Sequence, residues 1–157
     1  MRGKRAERRK LEPDPLYNSR LVSRLINRVM EEGKKGVAER VVYKAFEKIK
    51  ETGKNPLEIF ETAVRNVSPR VEVKPRRIGG ASYQVPTEVK GDRKESLALR
   101  WIVSVAAQRP NTEYKSMIDK LSAELIDAAT GTGGAIKKRD EAHRMAEANK
   151  AFAHFRW

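Results

Sequence analysis

Between Ser19 and Glu32 the apolar residues Leu21, Val22, Leu25, Ile26, Val29 and Met30 recur at helical spacing. That period predicts a first helix with one buried stripe. Arg20, Arg24 and Arg28 fall at i, i+4 and i+8 and occupy a different face. Gly33 stops the helix, and Lys34, Lys35 and Gly36 form a short basic loop. Val37, Val41, Val42, Ala45, Phe46 and Ile49 mark a second helix that ends at Gly53. Asn55-Pro56 opens a third: an Asn side chain accepts first-turn amides, and proline at the first helical position loses no hydrogen bond. Leu57, Phe60, Val64 and Val67 line its buried face, and Pro69 ends it.

The period then changes from helical to alternating. Val71, Val73 and Pro75 alternate with Glu72 and Lys74, and Tyr83, Val85, Thr87 and Val89 alternate with Gln84, Pro86 and Glu88. Gly79-Gly80 between them supplies the positive φ of a tight hairpin turn. Pro75 and Pro86 each remove a ladder donor, which predicts a two-stranded ribbon with exposed edges. Its apolar face is too thin for a core, so residues 70–91 are expected to project as an arm. Asp92 and Glu95 form a capping-box pattern at the start of a fourth helix. Leu97, Leu99, Trp101, Ile102, Val105 and Ala106 give that helix a broad apolar face that closes at Pro110. A fifth helix is expected from Thr112 to Thr130. Gly131, Gly133 and Gly134 form a turn, and a last helix runs from near Ile136 toward the C-terminus. With no internal repeat or long linker, the pattern predicts a mainly α fold. It is a single domain of about six helices, with a protruding two-stranded β-hairpin arm and a basic extended tail over residues 1–12.

Charge turns this outline toward nucleic acid. The 157 residues carry 34 Lys and Arg against 21 Asp and Glu, a net charge of +13. Solubility alone is served by balanced charge, whereas such an excess repels itself and attracts polyanions through counterion release. The chain has no Cys, which removes disulfides, thiolate nucleophiles and Cys-ligated zinc. No run of 18 apolar residues is present, so no membrane partner is expected.

The residue inventory also argues against an enzyme. His143 and His154 are the only histidines. On one continuous helix they would share a face but stand about 16 Å apart, too far to share a metal or a proton. The acids fall mostly at helix starts or beside bases, where solvated pairing accounts for them. Gly131-Thr132-Gly133-Gly134 lacks the Gly-Lys-Ser/Thr ending of a phosphate loop and reads as an interhelix turn. No cofactor, metal or small-molecule substrate is implied.

The basic residues gather in three groups. The tail holds Arg2, Lys4, Arg5, Arg8, Arg9 and Lys10. The first helix and its loop hold Arg20, Arg24, Arg28, Lys34 and Lys35. The arm and the start of the fourth helix hold Arg70, Lys74, Arg76, Arg77, Lys90, Arg93 and Lys94, extended by Arg100. Any one group alone is a solvated surface. Three on separate elements suggest a footprint that wraps a folded nucleic acid. At the arm's tip, Ile78, Gly79, Gly80 and Ala81 let backbone approach phosphate closely, flanked by Arg forks. Tyr83 either stacks on an unpaired base or covers the ribbon's apolar face. Trp101 is expected in the core. Phe152 is expected to pack on the body, while Phe155 and Trp157 pack either on this chain or on a partner.

Three segments are similar to the bacterial form of the small-subunit ribosomal protein seven family. The first is Pro69 to Val73 with Arg76-Arg77-Ile78-Gly79-Gly80-Ala81-Ser82-Tyr83-Gln84-Val85-Pro86. The second is Ser96 to Ile102 with Gln108-Arg109-Pro110, and the third is Met145 to His154. The resemblance covers nearly the whole chain in order and is weakest from Asn111 to Ser122. It implies a six-helix body with a protruding ribbon, and it adds Arg109 to the rRNA-binding candidates. It implies binding to the 3′ region of small-subunit ribosomal RNA and nucleation of the subunit head. It places the arm tip near the exit-site tRNA and the mRNA exit path, with head proteins and one platform protein as neighbours. The implied location is the cytoplasmic ribosome, with a monomer outside it, and some family members repress translation of their own operon. In this picture fixed cationic faces neutralise phosphates of a multihelix RNA junction, and the tail and arm order on binding. The competing reading is an architectural DNA-binding protein with a basic β-arm and Ile78 as an apolar wedge.

Overall fold

The computed structural model describes residue 3 and residues 11–155. The tail cations Arg2, Lys4, Arg5, Arg8, Arg9 and Lys10, expected to bind RNA, lie outside them, as does Trp157. The order is α1 (Arg20–Val29), α2 (Lys35–Glu51), α3 (Pro56–Val67), β1 (Val71–Ile78), β2 (Ala81–Glu88), α4 (Asp92–Gln108), α5 (Met117–Ala129) and α6 (Gly133–Ala148). A short 3-10 helix, Lys150–Phe155, follows. The fold is therefore mainly helical with one antiparallel hairpin, as the hydrophobic pattern predicts.

The helices close around one apolar cluster centred on Leu25, Phe46, Phe60, Ile102, Leu121 and Leu125, all fully or almost fully buried. Helix α5 lies at its centre and packs on α2, α3, α4 and α6. Trp101 is partly buried against this cluster. Asn55 caps α3 as expected, its side chain accepting from the Leu57 amide at 3.1 Å. Ahead of α1, the buried Asp14 accepts from the amides of Leu16 and Tyr17 and from the Tyr43 hydroxyl at 2.6 Å. That carboxylate pins the chain's entry into the body onto α2.

Several boundaries move for identifiable reasons. Helix α1 stops at Val29, before Glu32 and Gly33 turn with positive φ. The fourth helix is not capped by Asp92: its N-cap is Gly91, and Asp92 and Glu95 turn instead to Arg24 of α1. The fifth helix begins at Met117 rather than Thr112, because Ser116 and Asp119 make a reciprocal capping box there. The preceding loop is held by the Lys120 ammonium, 2.7 Å from the Asn111 side-chain oxygen. Helix α6 begins at Gly133, three residues early. A Cβ on Gly134 would stand 2.6 Å from Val105 Cγ1, so the glycine sets how closely α6 approaches α4. Helix α6 ends at Ala148, where Asn149 folds back on the Met145 carbonyl at 2.8 Å. His143 and His154 therefore do not share a helix.

Glu124 is completely buried. Its Oε2 accepts from Arg109 Nε at 2.9 Å and from Arg109 Nη2 at 2.6 Å, and its Oε1 accepts from the Ala135 amide at 2.8 Å. Asp127 also takes Arg109 Nη2, Tyr114 accepts from Nη1 at 3.0 Å, and the guanidinium lies 5.1 Å from the Tyr114 ring centre. Burial opposes the Arg109 charge, but the Asp127 and Glu124 bonds outweigh it and raise its pKa. Replacing Glu124 with Gln leaves the largely buried Arg109 with Asp127 as its one carboxylate and should cost about 1.5–3 kcal/mol. Urea denaturation of Glu124→Gln and of the Glu124→Gln/Arg109→Met double variant measures this. The double variant should recover part of the loss, because it removes the stranded charge.

Candidate nucleic-acid interface

The ribbon is formed by eight antiparallel pairs, from Val71 opposite Glu88 to Ile78 opposite Ala81. Gly79 and Gly80 have φ of 56° and 90°, the two positive angles a type I′ turn demands. The tip protrudes with Arg76, Arg77, Gly79, Gly80 and Ala81 exposed and Ile78 half-buried. The root is docked more firmly than its thin apolar face suggested. Val85, Pro86 and Val89 are buried, β1 packs on α6, and β2 packs on the 3-10 helix. Tyr83 meets Phe152 and Phe155 with ring centres 5.3 and 5.2 Å apart. Of the two readings of Tyr83, the covering one describes this structure, and both phenylalanines pack on their own chain. The arm is paired over its length and docked on the body.

Helices α1 and α4 enclose a cleft of about 560 Å³, lined by Arg24, Asn27, Arg28, Asp92, Arg93, Ser96 and Leu99. Arg93 joins this cleft to the ribbon: its guanidinium reaches Glu72 of β1 at 2.9 Å, and Glu72 also holds Lys74 at 3.1 Å. Burial pulls the Glu72 pKa upward, but the hydrogen bonds from Arg93 and Lys74 win and hold the carboxyl below its usual range. Cleft and ribbon therefore form one continuous surface.

The candidate cations divide by partner. Arg20, Arg28, Arg70, Arg76, Arg77 and Arg100 are exposed, and no ion pair joins them to another described residue. Arg24 is paired with Asp92 and Glu95, Lys34 with Glu32, and Lys35 with Glu39. Lys94 is half-buried. Arg109 differs from all of these. Its side chain is 13% exposed and its guanidinium is bound to Glu124 and Asp127, so it holds the body together. Residue-by-residue reading missed Asn27 and Ser96, which enter the cleft only because α1 and α4 pack. It also gave no role to the run Lys137-Lys138-Arg139. There Lys137 is exposed, Lys138 bonds Ser104 at 3.1 Å, and Arg139 bonds the Asn66 carbonyl at 2.6 Å.

A cationic cleft continuous with a basic ribbon, on a helical body, is the kind of surface that suits a polyanion such as nucleic acid. Among the described residues no cluster could hold a metal ion and no helix is long and apolar enough to cross a membrane. The chain belongs to the family described as ribosomal protein S7p/S5e, whose model matches residues 1–150. It is thus a structural, rRNA-associated protein of the cytoplasmic ribosome and not an enzyme. It is 60% identical over 154 residues to "Small ribosomal subunit protein uS7" of Acaryochloris marina, covering 98% of this chain and 97% of the relative. Against the protein of that name from Thermoanaerobacter sp. (strain X514) it is 58% identical over 96% of each chain. Against that of Streptococcus sanguinis (strain SK36) it is 55% identical over 99% of each.

One titratable contact sits at the ribbon's root. The Arg70 amide donates to His143 Nε2 at 3.0 Å, so the ring must be unprotonated there. Burial lowers the His143 pKa below its ordinary 6.5, Arg139 and Arg70 add to this, and Asp140 opposes it. The folded chain resists a proton that the unfolded chain accepts. The stability is therefore whole above pH 6.5 and is lost as pH falls below it toward the folded pKa. Melting of wild type and His143→Gln between pH 7.5 and 5 should show the wild type losing more. Parallel curves would rule this out.

Proposed function

We propose that the protein is a primary RNA-binding component of the small ribosomal subunit that engages the 3′ region of its ribosomal RNA and nucleates the subunit head. The observation that carries this is the Arg93–Glu72–Lys74 link, which makes the α1–α4 cleft and the ribbon one cationic surface. Arg20, Arg28, Arg70, Lys74, Arg93, Lys94 and Arg100 neutralise phosphates where RNA helices converge. Binding then selects the compact junction and makes sites for later proteins available. The tail residues Arg2, Lys4, Arg5, Arg8, Arg9 and Lys10 supply further cations, with Lys34 and Lys35 at the edge of the same footprint. The exposed tip, from Arg76 through Ala81, reaches toward the exit-site tRNA and the path of outgoing mRNA. Head and platform proteins are its neighbours in the subunit, and outside it the chain is a monomer. The same surface would take its own operon's message if the protein represses it.

A protection map of ribosomal RNA with the intact chain, beside chains lacking residues 1–10 or 75–84, tests this. The arm deletion should remove a discrete set of protections, and unchanged protections and assembly would refute the role given to the arm. With about 6–10 phosphates neutralised, affinity should fall roughly 10³-fold or more between 50 and 200 mM salt. Arg76→Ala and Arg77→Ala should each flatten that slope by about one contact.

A further inference from the structure

Two carboxylates in a surface built for phosphate call for an explanation. Asp92 Oδ1 lies 2.9 Å from Arg24 Nη2, and Glu95 Oε2 takes Arg24 Nη1. The three side chains are 54%, 45% and 35% exposed, and ion pairs this open to water contribute little to folding. Acids in the first turn of a helix also offset its dipole, but that accounts for neither the reach across to α1 nor the convergence of both acids on one arginine. The pairing fixes Arg24 in the wall of the cleft, beside Arg28 and Arg93. A phosphate arriving at Arg24 must displace two carboxylates and then sit near their charge. Arg93 is held by one carboxylate, that of Glu72, and Arg28 is exposed at the cleft. A strand that brings phosphate to Arg28 and Arg93, and a hydroxyl or amino group to the acids, satisfies all of them. RNA offers such donors in its 2′-hydroxyls and in base amino groups, and the amino groups are natural partners of Asp and Glu.

We propose that Asp92 and Glu95 set the specificity of the α1–α4 cleft: they fix Arg24, accept a hydrogen-bond donor from the correctly folded RNA, and repel strands that present phosphate alone. This rests on the reading of the cleft as part of the RNA surface.

The test compares wild type with Asp92→Asn/Glu95→Gln, whose amides keep the acids' shape. Binding is measured from 50 to 200 mM salt to a transcript of the 3′ region of small-subunit ribosomal RNA and to an unrelated duplex RNA of equal length. The variant should bind the unrelated duplex about tenfold more tightly, with a salt slope steeper by about one or two phosphates. It should gain less on the ribosomal transcript, so that the ratio of the two affinities falls. An equal gain on both RNAs, with the ratio kept, overturns the proposal while leaving the RNA surface intact. A wild type with no preference for the ribosomal transcript overturns the surface reading and this proposal together. Circular dichroism and melting establish that the double variant is folded, and the two single variants carry the same comparison if it is not.

Discussion

The helical body is locked by a carboxylate that never meets water. Glu124 binds Arg109 at the end of α4 and the Ala135 amide at the start of α6, so one side chain of α5 fixes three helices. A buried ion pair of this kind adds modest net stability, yet losing one partner is severe. It therefore works as a register device. Helix α4 forms one wall of the cleft, and α6 supports the ribbon. Helix α6 packs on both strands of the ribbon, and Arg93 of α4 ties Glu72. The placement of the cations thus depends in part on a contact inside the body.

Glu124 also shows where sequence reading stops. Local signals were legible: the helical period of α1 to α3, the cap at Asn55, and the change to alternation at Val71 all lie within a few residues of their effects. Misreadings arose where a residue's partner is distant in sequence. Asp92 and Glu95 match a capping box by spacing, but their partner Arg24 lies about 70 residues earlier and draws both away. The start of α6 looked like a glycine turn because its cap comes from Glu124 and its glycine contact from Val105. Tyr83 had two readings until Phe152 and Phe155 were brought to it.

The candidate surface was legible as composition and only partly as arrangement. A run such as Arg76-Arg77 shows charge but not whether an acid answers it. The fold answers Arg24, Lys74, Arg93 and Arg109 and leaves Arg20, Arg28, Arg76, Arg77 and Arg100 without ion pairs among the described residues. Cations with carboxylate partners are held in position at the cost of some attraction for phosphate. Cations without them attract phosphate but are free to move. A surface with both kinds reads the shape of its ligand as well as its charge.

That division gives the ribbon its mechanical character. It is fixed at three points: at its root by the Arg70 amide on His143 and by Glu72 on Arg93, and nearer its tip by the Tyr83–Phe152–Phe155 cluster. Its strands pair over their full length, and two glycines relieve the turn of the strain that side chains would add. Ordering a loose segment at the moment of binding would cost conformational entropy that detracts from affinity. A ribbon already paired and docked spares most of that cost. The bare arginines at its tip then meet their ligand at a fixed distance from the cleft, and a binding partner has to match that spacing.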